Sequence, residues 1–450
     1  MSPDLRQATR RQFLGAGATA GALGLAPQAY AATSEPADAG AGGSGHGAAI
    51  RPFRIDVPQA TLDDMRRRIA ATRWPERETV DDDSQGVPLA MAQALARHWV
   101  AAYDWRRVEA RLNGLPQFLT EIDGLDIHFI HVRSRHADAL PLIVTHGWPG
   151  SVIEQLKIID LLTNPTAHGA SASDAFHLVV PSLPGFGFSG KPTATGWNPD
   201  RIAAAWTQLM KRLGHTRFAA QGGDWGAVVC HAMARQAPPE LVGIHVNFPA
   251  AVPADVLRAL QSGDPPPPGL APDELSAYAQ LQLLFAKRRA YAQFMGTRPQ
   301  TLYGIADSPV GLAAWLMDHG DGYGQPAASI TSAVLGHTVA GHPAGDLTLT
   351  DVLDNITLYW VTNTGVSSGR IYWENKVNLY AVADVPVPAA VSVFPGENWK
   401  APRRWLERAY PKLIYVGEPE RGGHFAAWEQ PQLFAEEVRA GLRPLRAPAP

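Results

Sequence analysis

Gly222-Gly223-Asp224-Trp225-Gly226 follows the apolar run Phe218-Ala219-Ala220 and opens a helix-like stretch from Ala227 to Arg235. Strand, sharp turn and helix, with small residues two before and two after a central side chain, is the pattern of a nucleophile elbow. Small residues are needed because the turn is tight and its centre strained. Here the central residue is an aspartate where a serine is usual. A serine that attacked a saturated carbon would form an ether, which activated water does not cleave. A carboxylate forms an ester, and a second step can hydrolyse it. An Asp at this point therefore implies an alkyl electrophile such as an epoxide or an alkyl halide. The plainer reading of Asp224 is a helix N-cap, so the rest of the chain has to decide.

Leu142-Ile143-Val144-Thr145 reads as a buried strand that runs into His146-Gly147-Trp148-Pro149-Gly150. A loop in this position supplies a backbone N–H to an oxyanion hole, with Trp148 as donor and Trp225, just after the nucleophile, as the second. The His146 side chain reads as a structural histidine holding the loop. Leu178 to Pro181 is a further strand, and Gly185-Phe186-Gly187-Phe188-Ser189 lines the pocket mouth. Near the C-terminus, Gly422-Gly423-His424-Phe425 follows the strand Leu413-Ile414-Tyr415-Val416. The order nucleophile, acid, histidine is a known catalytic order, and it makes His424 the base for water. Phe394-Pro395-Gly396-Glu397, after Val391-Ser392-Val393, offers the acid that orients it. Glu418, Glu420 and Asp255 compete with Glu397 for that role.

These motifs resemble those of the microsomal-type epoxide hydrolases, and the likeness extends from about Ile50 to Leu442. It includes Arg51-Pro52-Phe53-Arg54-Ile55, Arg73-Trp74-Pro75 and Leu115-Pro116-Gln117-Phe118. The resemblance implies an α/β-hydrolase fold: a mostly parallel sheet, a helical lid inserted in the core, and an N-terminal wrapping segment. It implies Asp224 as nucleophile, His424 as base and Glu397 as its acid partner. It also implies two lid tyrosines that donate to the epoxide oxygen, Tyr291 in Tyr291-Ala292-Gln293-Phe294 and Tyr372 in Gly369-Arg370-Ile371-Tyr372. An epoxide opens to an alkoxide, a poor leaving group, and a phenol with an ordinary pKa of ~10 is a suitable proton donor. The implied partners are a small hydrophobic epoxide and water, with no cofactor and no metal.

Two other readings compete. A haloalkane dehalogenase shares the Asp ester and the His base, but a halide needs N–H donors where this chain places tyrosines. A non-catalytic ligand-binding protein on the same scaffold predicts loss of Asp224, Glu397 or His424, and all three are present.

The 450 residues carry a formal charge of −3, which gives no footprint for nucleic acid or an anionic membrane. Cys230 is the only cysteine and reads as core packing. Thr9-Arg10-Arg11-Gln12-Phe13-Leu14, a Gly/Ala-rich run and Ala29-Tyr30-Ala31 read as a twin-arginine signal over residues 1–31. The run is too short and glycine-rich to span a membrane, so a soluble, exported bacterial enzyme is expected, periplasmic or extracellular. Residues 32–49 read as a flexible linker and 50–139 as the family's N-terminal segment. The core is expected over 140–251 and 373–450, with the lid at 252–372. Asp81-Asp82-Asp83 reads as a solvated turn or helix cap. Within the N-terminal segment a helix is expected over Leu62 to Ala71, a second from Leu89 to Leu112 broken near Tyr103-Asp104, and a β-hairpin around Asp123-Gly124.

Overall fold

The computed structural model describes residues 49–446 apart from 83, 319–327 and 340. The export signal and most of the linker expected over 1–49 lie outside the described residues. One nine-stranded sheet organises the rest: β1 (Arg51–Pro52), β2 (Gln117–Ile122), β3 (Leu125–Val132), β4 (Leu140–Thr145), β5 (Phe176–Pro181), β6 (Phe218–Gly222), β7 (Leu241–Val246), β8 (Ala389–Ser392) and β9 (Leu413–Gly417). Their order is β1-β2-β3-β5-β4-β6-β7-β8-β9. From β5 to β9 all pairings are parallel, whereas β1, β2 and β3 pair antiparallel. Parallel strands covered on both faces read as near-continuous apolar runs, which is how Leu142 to Val144 and Leu178 to Val180 read, all fully buried.

The sheet thus begins well before Leu140, where the sequence places the start of the core. The hairpin β2–β3 turns on Asp123 and Gly124, both at positive φ (51° and 77°), as a two-residue hairpin turn requires. Its β3 then pairs with β5, so the N-terminal segment extends the core sheet as well as wrapping it. The expected break at Tyr103-Asp104 separates the helices Leu89–Ala101 and Trp105–Asn113, and the Asp104 side chain caps the second by accepting from Arg106 N–H.

Between β7 and β8 the chain leaves the sheet as a run of helices. The helix Leu349–Val361 links three parts of the molecule. Trp99 Nε1–H donates to Thr357 (3.0 Å) and Tyr103 O–H to Asp354 (2.8 Å), which ties it to the N-terminal segment. Its Asn355 Nδ2 donates to the Pro149 carbonyl (2.7 Å) and its Tyr359 O–H to the Gly150 carbonyl (2.8 Å). The N-terminal segment therefore braces the loop after β4 through one helix.

Candidate active site

The site forms where the strand order reverses, at the carboxyl ends of β4 and β6, the usual crevice of an open α/β sheet. Thr145 and Gly222 are paired in register at the ends of these strands. The loop His146–Gly150 and the elbow Gly222–Gly226 consequently start side by side. A Cβ on Gly226 would lie 1.9 Å from the Thr145 carbonyl oxygen, and one on Gly147 would lie 2.4 Å from Asp224 Oδ1. Only glycine permits both approaches. Asp224 sits at φ 46°, a left-handed conformation that is strained for a residue with a Cβ and is typical of a side chain held at the tip of an elbow. It begins the helix Asp224–Gln236, whose N-terminal dipole favours its negative charge. Cys230 lies in that helix, buried and unpaired with any other cysteine.

Trp148 N–H donates to Asp224 Oδ1 at 2.8 Å. The other oxygen, Oδ2, lies 3.5 Å from His424 Nε2. Trp225 N–H, the second expected donor, makes no hydrogen bond to this carboxylate. His424 and Glu397 are brought together by their strands. Ser392 pairs with Gly417 at the ends of β8 and β9, and the loops beyond continue the pairing through a bridge between Gly396 and Gly423. His424 Nδ1–H donates to Glu397 Oε1 at 2.7 Å, which leaves Nε2 turned to Asp224. Glu418, Glu420 and Asp255 make no hydrogen bond or ion pair with His424. Burial alone would lower the His424 pKa. The Glu397 charge and the contacts with both carboxylates outweigh it and hold the ring well above its usual value.

Tyr291, on the helix Ala290–Thr297, and Tyr372, on the helix Gly365–Glu374, lie over the two tryptophans beside Asp224. Tyr291 stacks on Trp148 (5.1 Å between centroids, 16° between planes), and Tyr372 meets Trp225 edge-on (4.7 Å, 86°). The two tyrosine rings are 6.0 Å apart. Burial raises the pKa of both phenols, and the Asp224 charge adds to it, so both stay protonated at neutral pH. His146 does hold its loop: Leu183 N–H donates to Nε2 (3.2 Å) and Nδ1–H to the Gly147 carbonyl (2.9 Å). Burial pushes its pKa down to about 4, so it is neutral.

Two carboxyl groups that sequence reasoning missed sit beside the site. Burial pushes Glu154 up to about 8, and it is close enough to Asp224 and His424 to feel both charges. Glu429, pushed up to about 7 by burial, accepts from Phe425 N–H (3.0 Å) and Ser329 O–H (3.1 Å) and so shapes the loop that carries His424. Neither position has a local signal, since each has polar neighbours, Gln155 and Gln430, and reads as an ordinary surface carboxylate. Among the described residues, no group of three or more His, Cys, Asp or Glu could hold a metal, and no helix is long and apolar enough to cross a membrane.

The sheet, the elbow and the helical insertion define an α/β-hydrolase, and the model of the alpha/beta hydrolase fold matches residues 141–277. The model described as epoxide hydrolase N terminus matches residues 50–155. A Stigmatella aurantiaca protein assigned as an epoxide hydrolase is 53% identical over 88% of this chain and 86% of its own length. Epoxide hydrolase 1 of Sus scrofa is 34% identical over 87% and 88%. The crystal structure of juvenile hormone epoxide hydrolase from Bombyx mori superposes with a TM-score of 0.76 at 29% identity, covering 89% of this chain and 95% of that one. The Aspergillus niger epoxide hydrolase gives 0.74 at 28%, covering 89% and 97%. The chain belongs to the epoxide hydrolase family and is an enzyme of the hydrolase class.

Proposed function

We propose that the protein opens a small hydrophobic epoxide to a vicinal diol through a covalent ester on Asp224. The observation that carries this reading is the division of labour between the two Asp224 oxygens. Oδ1 is held by the Trp148 N–H, while Oδ2 is left facing His424 Nε2. In the first step Oδ2 attacks an epoxide carbon, the carbon–oxygen bond breaks, and the departing oxygen takes a proton from Tyr291 or Tyr372. The phenolate so formed is a strong base in this buried setting and regains its proton from solvent. In the second step His424 Nε2 removes a proton from water, and hydroxide adds to the Asp224 carboxyl carbon. Negative charge then develops on Oδ1, where the Trp148 N–H already stands, joined by the Trp225 N–H. Collapse expels the diol oxygen, which takes the proton back from His424, and the Asp224 carboxylic acid left behind loses its proton to solvent, balancing the one the phenolate took up. Glu397 holds the imidazole in the tautomer this requires and stabilises its cation.

Ester formation converts Asp224 from an anion to a neutral group. That removes the Asp224 contributions that raise the His424 pKa and leaves burial opposed by Glu397 alone. The histidine therefore gives up its proton more readily at the stage that needs a base.

The test is a single turnover of excess enzyme with styrene oxide in ¹⁸O-labelled water. An unlabelled first-turnover diol is expected, since its new oxygen comes from Asp224; immediate label in the diol would mean direct attack by water. We further propose export by the twin-arginine route, on the strength of Arg10-Arg11 and the run that follows. Replacing both arginines by lysine should retain the full-length chain in the cytoplasm on cell fractionation, and unchanged export would refute it.

A further inference from the structure

A groove of about 800 Å³ runs along the lid, lined by Lys191, Trp197, Arg298, Arg370, Trp373 and Glu374 among others. Residues 367, 370, 371, 373 and 374 of the helix Gly365–Glu374 line it. Tyr372 is not in the lining, nor are Asp224, His424, Trp148, Trp225 and Tyr291. The groove is thus separate from the Asp224 site, although one helix serves both.

Its charges are unusual in what they lack. Arg370 is fixed by neutral acceptors alone, the Pro192 carbonyl (3.3 Å) and the Gln300 side-chain oxygen (3.1 Å). Lys191 makes no hydrogen bond or ion pair with any described residue. It stands on the exposed rim of the same lining as Arg370, where desolvation and then the Arg370 charge lower its pKa. Glu374 is the carboxylate in the lining, and it accepts from Gly196 N–H (3.0 Å) without pairing with either cation. The lining thus carries Lys191, Arg298 and Arg370 against Glu374, an excess of positive charge that an anion would share. Beside them the Trp373 ring is exposed (38%), with Lys376 Nζ 4.4 Å from its centre. Trp197 adds a buried aromatic wall.

We propose that this groove binds a carboxylate on an apolar body, with Lys191 and Arg370 sharing the head group and the body lying along Trp373. The carboxylate belongs either to a separate molecule or to an epoxide substrate that carries one. The binding itself does not depend on the reaction proposed for Asp224.

The experiment is calorimetric titration of the full-length enzyme with octanoate and with octan-1-ol. Octanoate should bind at one site and octan-1-ol at least about tenfold more weakly, with the difference shrinking as salt rises. Lys191→Gln should weaken octanoate by about tenfold, the usual effect of losing one charge-assisted hydrogen bond. Because Lys191 holds nothing in place, this variant should hydrolyse styrene oxide at the wild-type rate, which controls for folding. Arg370→Gln serves as a second variant and should weaken octanoate at least as much. Equal affinity for acid and alcohol, or an octanoate affinity unchanged in Lys191→Gln, overturns the proposal. The epoxide of oleic acid and its methyl ester then identify the source. If kcat/KM is higher for the acid and Lys191→Gln removes the difference, the carboxylate is the substrate's own. Equal values, with octanoate binding still dependent on Lys191, assign the groove to a separate ligand.

Discussion

Replacing both Tyr291 and Tyr372 by phenylalanine should separate the two proposed half-reactions, and the structure sets the size of the expected effect. Tyr291 stacks on Trp148 and Tyr372 meets Trp225 edge-on, contacts that a phenyl ring keeps. The substitution therefore removes two hydroxyls without opening a ring-sized cavity. A hydrogen bond to a charged group contributes ~1.5–3 kcal/mol, and a preorganised donor to a developing oxyanion ~10²–10³ in rate. Either single variant should form the ester roughly 10–100-fold more slowly, because the remaining phenol still serves the departing oxygen. The double variant loses the last proton donor and should fall by more than the product of the two single effects. Ester hydrolysis depends on His424 and Glu397, which neither change touches, and should stay within a few-fold of wild type. Rapid mixing with styrene oxide, followed by tryptophan fluorescence, reads the first step directly, because Trp148 and Trp225 border both the tyrosines and the ester. A double variant that forms the ester at the wild-type rate would refute the role given to the lid.

Three other outcomes follow from the same geometry. His424→Gln should slow ester hydrolysis by ~10²–10⁴ and leave a protein heavier by one epoxide molecule in the mass spectrum. Sustained turnover with no adduct would remove His424 as base. Asp224→Asn deletes a negative charge 3.5 Å from His424 Nε2, so the imidazole should titrate at lower pH than in the wild type, as read by NMR of labelled histidine. An unchanged or higher titration point contradicts the electrostatic account. Glu154 keeps its proton in the folded state up to a pH of about 8 but in the unfolded state loses it above the ordinary carboxyl value of 4.5. Folding stability from this group therefore falls as pH rises between those values, by up to ~1.4 kcal/mol per pH unit. Glu154→Gln should gain on the wild type in urea midpoint across that window, and a gap independent of pH would sink the assignment.

The elbow was legible because its requirement is negative. Gly226 has to lack a side chain where the Thr145 carbonyl approaches, and the absence is visible in the sequence. The strands around it were legible as buried apolar runs. What places Glu397 against His424 was not: the bridge between Gly396 and Gly423 is a contact between loops 27 residues apart, and no local pattern records it. The hairpin at Asp123-Gly124 could be read from its turn, but its pairing with β5 could not, because a strand's partner is set by the sheet and not by its own alternation. The helix Leu349–Val361 shows the same limit. Its Asn355 and Tyr359 read as ordinary helix residues, yet they hold the carbonyls of the loop that carries the Trp148 N–H.

These features converge on the charge of Asp224. It raises the pKa of Tyr291, Tyr372 and His424 together. For the phenols burial is the larger cause, whereas for the histidine the Asp224 charge adds to that of Glu397 in favouring the cation. Once the ester forms, that charge is gone. The histidine loses one of the two carboxylates that stabilised its cation, and burial favours the neutral ring that accepts a proton from water. A serine at the same elbow carries no charge in its resting state and would exert no such control over its neighbours. In the proposed mechanism the aspartate that attacks in the first step therefore also shifts the histidine toward the protonation needed for the second, against the pull of Glu397. The Asp224→Asn titration separates the two contributions.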